Sequence, residues 1–186
     1  MAIAELNRSI YHPVQKDRAT FIRTAAETGG EYSLLEIELE PGGGNGLHRH
    51  RSFNERFTVL EGVLGVEVEG QVSILRPGDT ALAPLGSAHR FFSVEGSPAR
   101  FNVELRPGHT GFERALRIAY GLAEDNQVDR QGRPSNLLHM ALLLEMGDMD
   151  LVGPLALLSP IFGLLASIAR RRGAERELVA RYCPEE

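Results

Sequence analysis

Three histidines and one glutamate stand at spacings that can do chemistry. His48 and His50 are two residues apart, so on a strand both side chains leave the same face. Glu55 follows where the chain runs into Phe57-Thr58-Val59-Leu60, and His89 comes just after the turn Pro84-Leu85-Gly86. Gathered on the inside of a barrel, three imidazoles and one carboxylate make an N₃O donor set. Such a set suits Fe, Mn, Zn, Ni or Cu and not Ca or Mg, which take oxygen ligands. One divalent transition metal is therefore the expected cofactor, held by His48, His50, Glu55 and His89. The remaining histidines read as bystanders: His12 before Pro13, His109 in a loop after Arg106-Pro107-Gly108, and His139 inside a helix. Cys183 has no histidine near it in the sequence and does not read as a nucleophile.

The elements that must position these residues change character along the chain. Residues 1–19 read as a polar arm, 20–107 as a β-barrel and 108–186 as a helical extension packed on the barrel or in a dimer interface. In Leu35, Ile37 and Leu39 every second residue is apolar, with Glu36, Glu38 and Glu40 between and after them. That alternation marks a half-buried strand. Leu64, Val66 and Val68 repeat it, as do Phe101, Val103 and Leu105. Turn residues punctuate the runs at Pro41-Gly42, Glu61-Gly62, Glu69-Gly70 and Pro77-Gly78-Asp79. Short strands with frequent turns predict an all-β sandwich or barrel. Beyond residue 108, Phe112, Ala115, Leu116, Ala119 and Leu122 follow helical spacing. Pro134 is placed to open a second helix that stops at Gly147. A short last helix is expected over Ala174 to Tyr182.

Composition narrows the class further. The chain has 186 residues with 42% apolar and 24% charged side chains, a globular balance. Its formal charge is −5, which argues against a nucleic-acid binder needing a basic face. The single cysteine allows no intrachain disulfide and fits a reducing compartment, and residues 1–18 have no apolar core of signal-peptide length. A cytoplasmic location is the expectation. The run Leu151 to Ala169 holds 19 uncharged residues ahead of Arg170-Arg171-Arg172, the pattern of a membrane span. Ser159-Pro160 as a cap and Gly173 as a stop shorten the helix there to about 13 residues, too few to cross a bilayer. A membrane partner is thus not expected. The apolar stretch is expected to pack on the barrel or in a homodimer.

The histidine spacing resembles the cupin superfamily, of the small single-domain Cupin_2-like type with a C-terminal helical extension. The first cupin motif is met by Gly42, His48, His50, Glu55 and Gly62, and the second by Gly78, Pro84, Gly86 and His89. The closing Asn of the second motif is Ser93 here, a position that does not ligate metal in the family pattern. The resemblance covers roughly residues 30 to 106. It implies a mainly β fold, a double-stranded β-helix or jelly-roll barrel, followed by several C-terminal α-helices. The whole arrangement is similar to that of bacterial cupin-domain proteins.

Strand phase then predicts the pocket. Phe57 and Val59 share a phase with Glu55, and Phe91 and Ser93 with His89, so these four are expected to line an apolar cavity with the metal at its base. One carboxylate on a divalent ion leaves a net charge near +1, suited to an anionic or enolisable oxygen. The expected partner is a small organic molecule. The first functional expectation is a metal-dependent enzyme, dioxygenase- or isomerase-like, with Glu55 as the candidate catalytic base. The alternative is a non-catalytic binding or sensing module. An interaction protein docking through its apolar helices is the weakest reading.

Overall fold

The computed structural model describes residues 8–150 and 152–183. Residues 1–7 of the expected arm and Leu151 of the apolar run lie outside them. Ten strands precede the helices: β1 (Ser9–His12), β2 (Asp17–Arg23), β3 (Ser33–Leu39), β4 (Arg49–His50), β5 (Asn54–Gly62), β6 (Leu64–Val68), β7 (Gln71–Leu75), β8 (Thr80–Ala83), β9 (His89–Ser93) and β10 (Ala99–Arg106). A six-stranded sheet runs in the order β1-β2-β3-β10-β5-β8, and a three-stranded sheet in the order β7-β6-β9. Every pairing is antiparallel. The fold is a mainly β jelly-roll barrel followed by helices.

Alternation sets the core. Leu35, Ile37 and Leu39 of β3 lie opposite Val103, Phe101 and Ala99 of β10, and β10 in turn sets Val103 and Phe101 opposite Phe57 and Val59 of β5. These side chains and Leu64, Val66 and Phe91 of the smaller sheet form one buried cluster. Gly62 ends β5 at φ +77°, and a Cβ there would sit 2.1 Å from the Pro98 carbonyl oxygen. Only glycine allows that close approach between strands.

The arm expected over residues 1–19 is a correction. Residues 9–12 and 17–19 belong to the large sheet as β1 and the start of β2, paired in the register His12 with Asp17. The polar side chains there concealed a strand whose buried face is small, with Ala19 and Phe21 inward.

The helical part comprises α1 (Thr110–Glu124), α2 (Leu137–Met146), α3 (Ser159–Arg171) and α4 (Ala174–Tyr182). A two-residue strand, β11 (Met149–Asp150), and a 3₁₀ turn over Gly153–Leu158 join α2 to α3. His109 is no idle loop residue: it caps α1, its Nδ1 accepting from the Phe112 amide at 2.8 Å. The second helix opens at the Asn136 cap, whose Oδ1 accepts from Leu138 N, and not at Pro134, which bridges Val128 in the preceding loop. Ser159 likewise lies inside α3, its hydroxyl donating to the Ala156 carbonyl at 2.8 Å. The preceding 3₁₀ turn already supplies the helical entry, so no side-chain cap is needed. Gly173 stops α3 in the left-handed conformation at φ +80°, as its position implied. Among the described residues no helix is long and apolar enough to cross a membrane.

α1 joins the two halves. Phe112 and Tyr120 enter the barrel core, while Ala115, Ile118 and Leu122 enter a second buried cluster with Leu142 and Leu143 of α2, Ala166 and Ala169 of α3 and Leu178 of α4. Cys183 is buried in that second cluster.

Candidate metal centre

Backbone pairing positions the ligand candidates. His48 lies just before β4 and forms a two-way backbone bridge with His89: His48 N donates to His89 O at 3.1 Å, and His89 N to His48 O at 2.8 Å. His89 opens β9, brought inward by the turn at Pro84-Leu85-Gly86. His50 sits on β4, and β4 pairs with β11 of the helical extension, Met149 opposite His50. The Arg51 guanidinium bonds Asp148 at 2.9 Å and pins the same junction. Phe53 stacks on the His50 ring at 4.3 Å between centroids, and Phe112 of α1 meets its edge at 5.3 Å. Glu55 projects from β5.

The structure brings the four together, one donor atom from each lying within 4.8 Å of all the others. His50, Glu55 and His89 are at most 5% exposed. A backbone carbonyl can only accept, so the contacts of His48 Nδ1 with Gly46 O at 2.8 Å and of His89 Nδ1 with Ser87 O at 2.9 Å fix both Nδ1 atoms as donors. Second partners of this kind orient ligating histidines. His48 is left with a lone pair on Nε2. His89 Nε2 lies 2.8 Å from Glu55 Oε2, and His50 Nε2 is 3.7 Å from Glu55 Oε1.

The charges fit a cation. Burial disfavours ionised Glu55, but the His89 hydrogen bond and the imidazoles around it prevail and hold its carboxyl down at about 2. Burial would also neutralise His89, yet the Glu55 hydrogen bond and charge raise it above the ordinary imidazole range. With protein groups alone, His89 thus holds a proton between itself and Glu55. Burial, with His50 and His89 nearby, pushes His48 down to about 3, and burial lowers His50 against the pull of Glu55. Neither ring nitrogen of His50 makes a well-formed hydrogen bond: Glu55 Oε1 lies 3.7 Å from Nε2, and the Gly147 backbone is another polar neighbour of the ring. Unpartnered buried polar nitrogens are costly unless something is bound to them. A cation answers both observations: it gives one His50 nitrogen a partner and takes the place of the shared proton.

The group borders a cavity of 260 Å³. Leu35, Ile37, Phe57, Phe91 and Val103 supply its barrel wall. Phe112, Leu116, Ala119 and Tyr120 of α1 close the other side, and His48 and Glu55 are reached from inside. Of the four side chains expected at the wall, Phe57 and Phe91 are there. Val59 and Ser93 are not. Val59 lies one pleat further along β5 in the closed core, opposite Phe101. The Ser93 hydroxyl accepts from the Gly42 amide at 3.0 Å and donates to the Ser97 carbonyl at 2.9 Å, which makes it a loop fastener.

Sequence reasoning passed over Tyr120, Arg133, Gln15 and Met149, which also line the cavity. Tyr120 was findable: it continues the stripe Phe112-Leu116 by four residues on one helix face. Its hydroxyl donates to buried Asp17 at 2.7 Å. Arg133, Gln15 and Met149 carry no local signal, because loops and a two-residue strand bring them in.

Residues 35–105 match the family model described as Cupin domain. They are a domain of the cupin superfamily. The chain is similar to oxidoreductase OpS7 of Beauveria bassiana, 35% identical over 78 residues, which is 38% of this chain and 26% of that protein. It is also similar to epoxidase atD of Aspergillus terreus, 34% identical over 84 residues, which is 45% of this chain and 26% of that protein. The chain thus spans about a quarter of the length of these curated relatives. Both are fungal, so they do not carry the likeness to bacterial proteins that the sequence suggested. Among solved structures, KdgF from Halomonas sp. aligns with a TM-score of 0.46 at 19% identity, over 51% of this chain and 82% of that one.

Proposed function

We propose that this chain is a metal-dependent enzyme that works on a small, largely apolar organic molecule in the barrel cavity. The observation that carries the reading is the donor set beside an apolar cavity, with no well-formed hydrogen bond to either buried nitrogen of His50. His48, His50, Glu55 and His89 would hold one divalent transition metal. A bound metal would supply Lewis-acid or redox chemistry to an oxygen of the substrate. The oxidoreductase and epoxidase named among the relatives support the oxidative, dioxygenase-like form over the isomerase-like one. The protein's own share is distinct from the metal's. The Gly46 and Ser87 carbonyls orient two imidazoles, Phe57, Phe91 and Phe112 exclude water, and Glu55 is the proposed base within the cavity. A cytoplasmic homodimer completes the proposal; the side chains open to such pairing are Leu157, Ile161 and Leu164, all more than half exposed.

The test is elemental analysis of the full chain beside a His48→Ala/His50→Ala double variant. About one transition metal per chain in the wild type, lost in the variant, is the expected result. Iron would direct substrate screening to oxygen-consuming reactions. Absence of metal from the wild type, even after reconstitution, would overturn the enzyme reading and leave a non-catalytic binding module.

A further inference from the structure

The cavity has a second polar pole. Among the described residues Arg133 is the one lysine or arginine on its wall, and it comes from the loop between α1 and α2, outside both cupin motifs. That loop is shaped around one carboxylate. Asp129 Oδ1 accepts from the backbone amides of Gln131 at 2.8 Å and Arg133 at 3.0 Å. Asp129 Oδ2 accepts from Arg133 Nε at 2.9 Å and faces its Nη2 at 2.8 Å. The backbone closes the same turn, with Asp129 N donating to Arg133 O and Gly132 N to Asp129 O. The bridge from Val128 to Pro134 anchors its base. One edge of the guanidinium is therefore spent on holding its direction. The Nη1 end forms no hydrogen bond or ion pair with a described residue, and the side chain is 55% exposed, which places it at the cavity mouth.

A planar cation held along one edge and open along the other is built to take a second carboxylate through parallel N–H donors. A lysine or a freely rotating arginine would lose more side-chain freedom on binding. Among the other lining residues, Gln15, Leu116, Ala119 and Tyr120 are apolar or neutral.

We propose that Arg133 selects the substrate class: a small organic acid whose carboxylate sits on the Arg133 guanidinium at the mouth while its apolar body fills the cavity toward His48 and Glu55. The reading of a substrate-binding cavity under "Proposed function" is presupposed, but metal content is not. Asp129 acts through Arg133 and is a positioning residue.

The probes are 3-phenylpropionate and its neutral amide, 3-phenylpropionamide, titrated calorimetrically into the full chain, both chelator-stripped and reconstituted with Zn²⁺. Wild type should prefer the acid by about tenfold in either form, the size of a charge-assisted hydrogen-bond pair. Arg133→Ala should lose that preference with its metal content and melting temperature unchanged. Arg133→Lys should keep part of it, and Asp129→Asn should weaken the acid without affecting the amide. A preference that survives Arg133→Ala but vanishes on stripping would place the carboxylate at the histidines; it would overturn this assignment and leave the metal reading intact. A preference lost in Arg133→Ala while wild type takes up no metal would support Arg133 and overturn the metal-dependent enzyme. No measurable binding of the acid to either wild-type form at millimolar concentration would also overturn the assignment.

Discussion

Glu55 carries more of the site than its single carboxylate implies. It accepts from His89, lies within reach of His50 and is held ionised against its own burial. Glu55→Gln keeps the shape and removes the charge. The variant should lose most of its bound metal on dialysis, measured by elemental analysis, while its circular dichroism stays that of the wild type. Acid acts on the same group. Its folded value of about 2 lies below its ordinary 4.5, and that of His48, about 3, below 6.5. For both groups the unfolded chain binds the proton more tightly. Their stabilisation is therefore complete above 6.5 and is lost as pH falls toward 2. Urea unfolding of chelator-stripped protein should show this decline, and Glu55→Gln should flatten its lower part.

At the scale of elements, the join of β1, β2 and α1 contains a buried acid outside the candidate metal centre. Asp17 on β2 is fully buried, receives the Tyr120 hydroxyl and leaves Oδ1 without a partner. Burial pushes it up to about 7 against the opposing Tyr120 hydrogen bond, with the charge of Glu40 adding to the rise. The folded chain here binds the proton more tightly than the unfolded one. Stability is thus full below 3.8 and is lost as pH rises through about 7. A shift of this size corresponds to about 4 kcal/mol. Asp17→Asn should remove that slope, so chemical denaturation at pH 5 and pH 8 should differ less in the variant than in the wild type. An equal difference in both proteins would assign the slope to other groups. β11 has the opposite character, being two residues long yet decisive for His50, which it pairs through Met149.

Over the whole molecule, α1 belongs to both cores. Because Phe112 and Tyr120 pack in the barrel and Ile118 and Leu122 among the helices, the two clusters should unfold together. Leu142 is wholly buried in the helical cluster, among side chains of α1, α3 and α4. Leu142→Ala should cost about 2–5 kcal/mol. Calorimetry should still show one transition, shifted down. Two separated transitions would mean that the helices melt as their own unit.

The cluster of four candidate donors and the strand alternation were legible because both are local patterns. A ligand pair two residues apart and a period of two need nothing beyond chain geometry. The same logic reached Phe57 and Phe91, and stopped short at Val59 and Ser93: phase says which face a side chain leaves, but not how far along the strand the cavity extends. The N-terminal strands were hidden because Asp17 and His12 are polar yet buried, and only their pairing and the Tyr120 contact make that burial tolerable.

The amino-acid sequence by itself determined the barrel, its turns, the four donors and the approximate helices, since each follows from spacing within a few residues. Only the tertiary structure decided what closes the cavity, that the helical extension holds His50, and that Arg133 stands at the mouth. Those depend on contacts between distant segments, such as His50 with Met149 or α1 with the sheet, and such contacts leave no periodic trace in the chain.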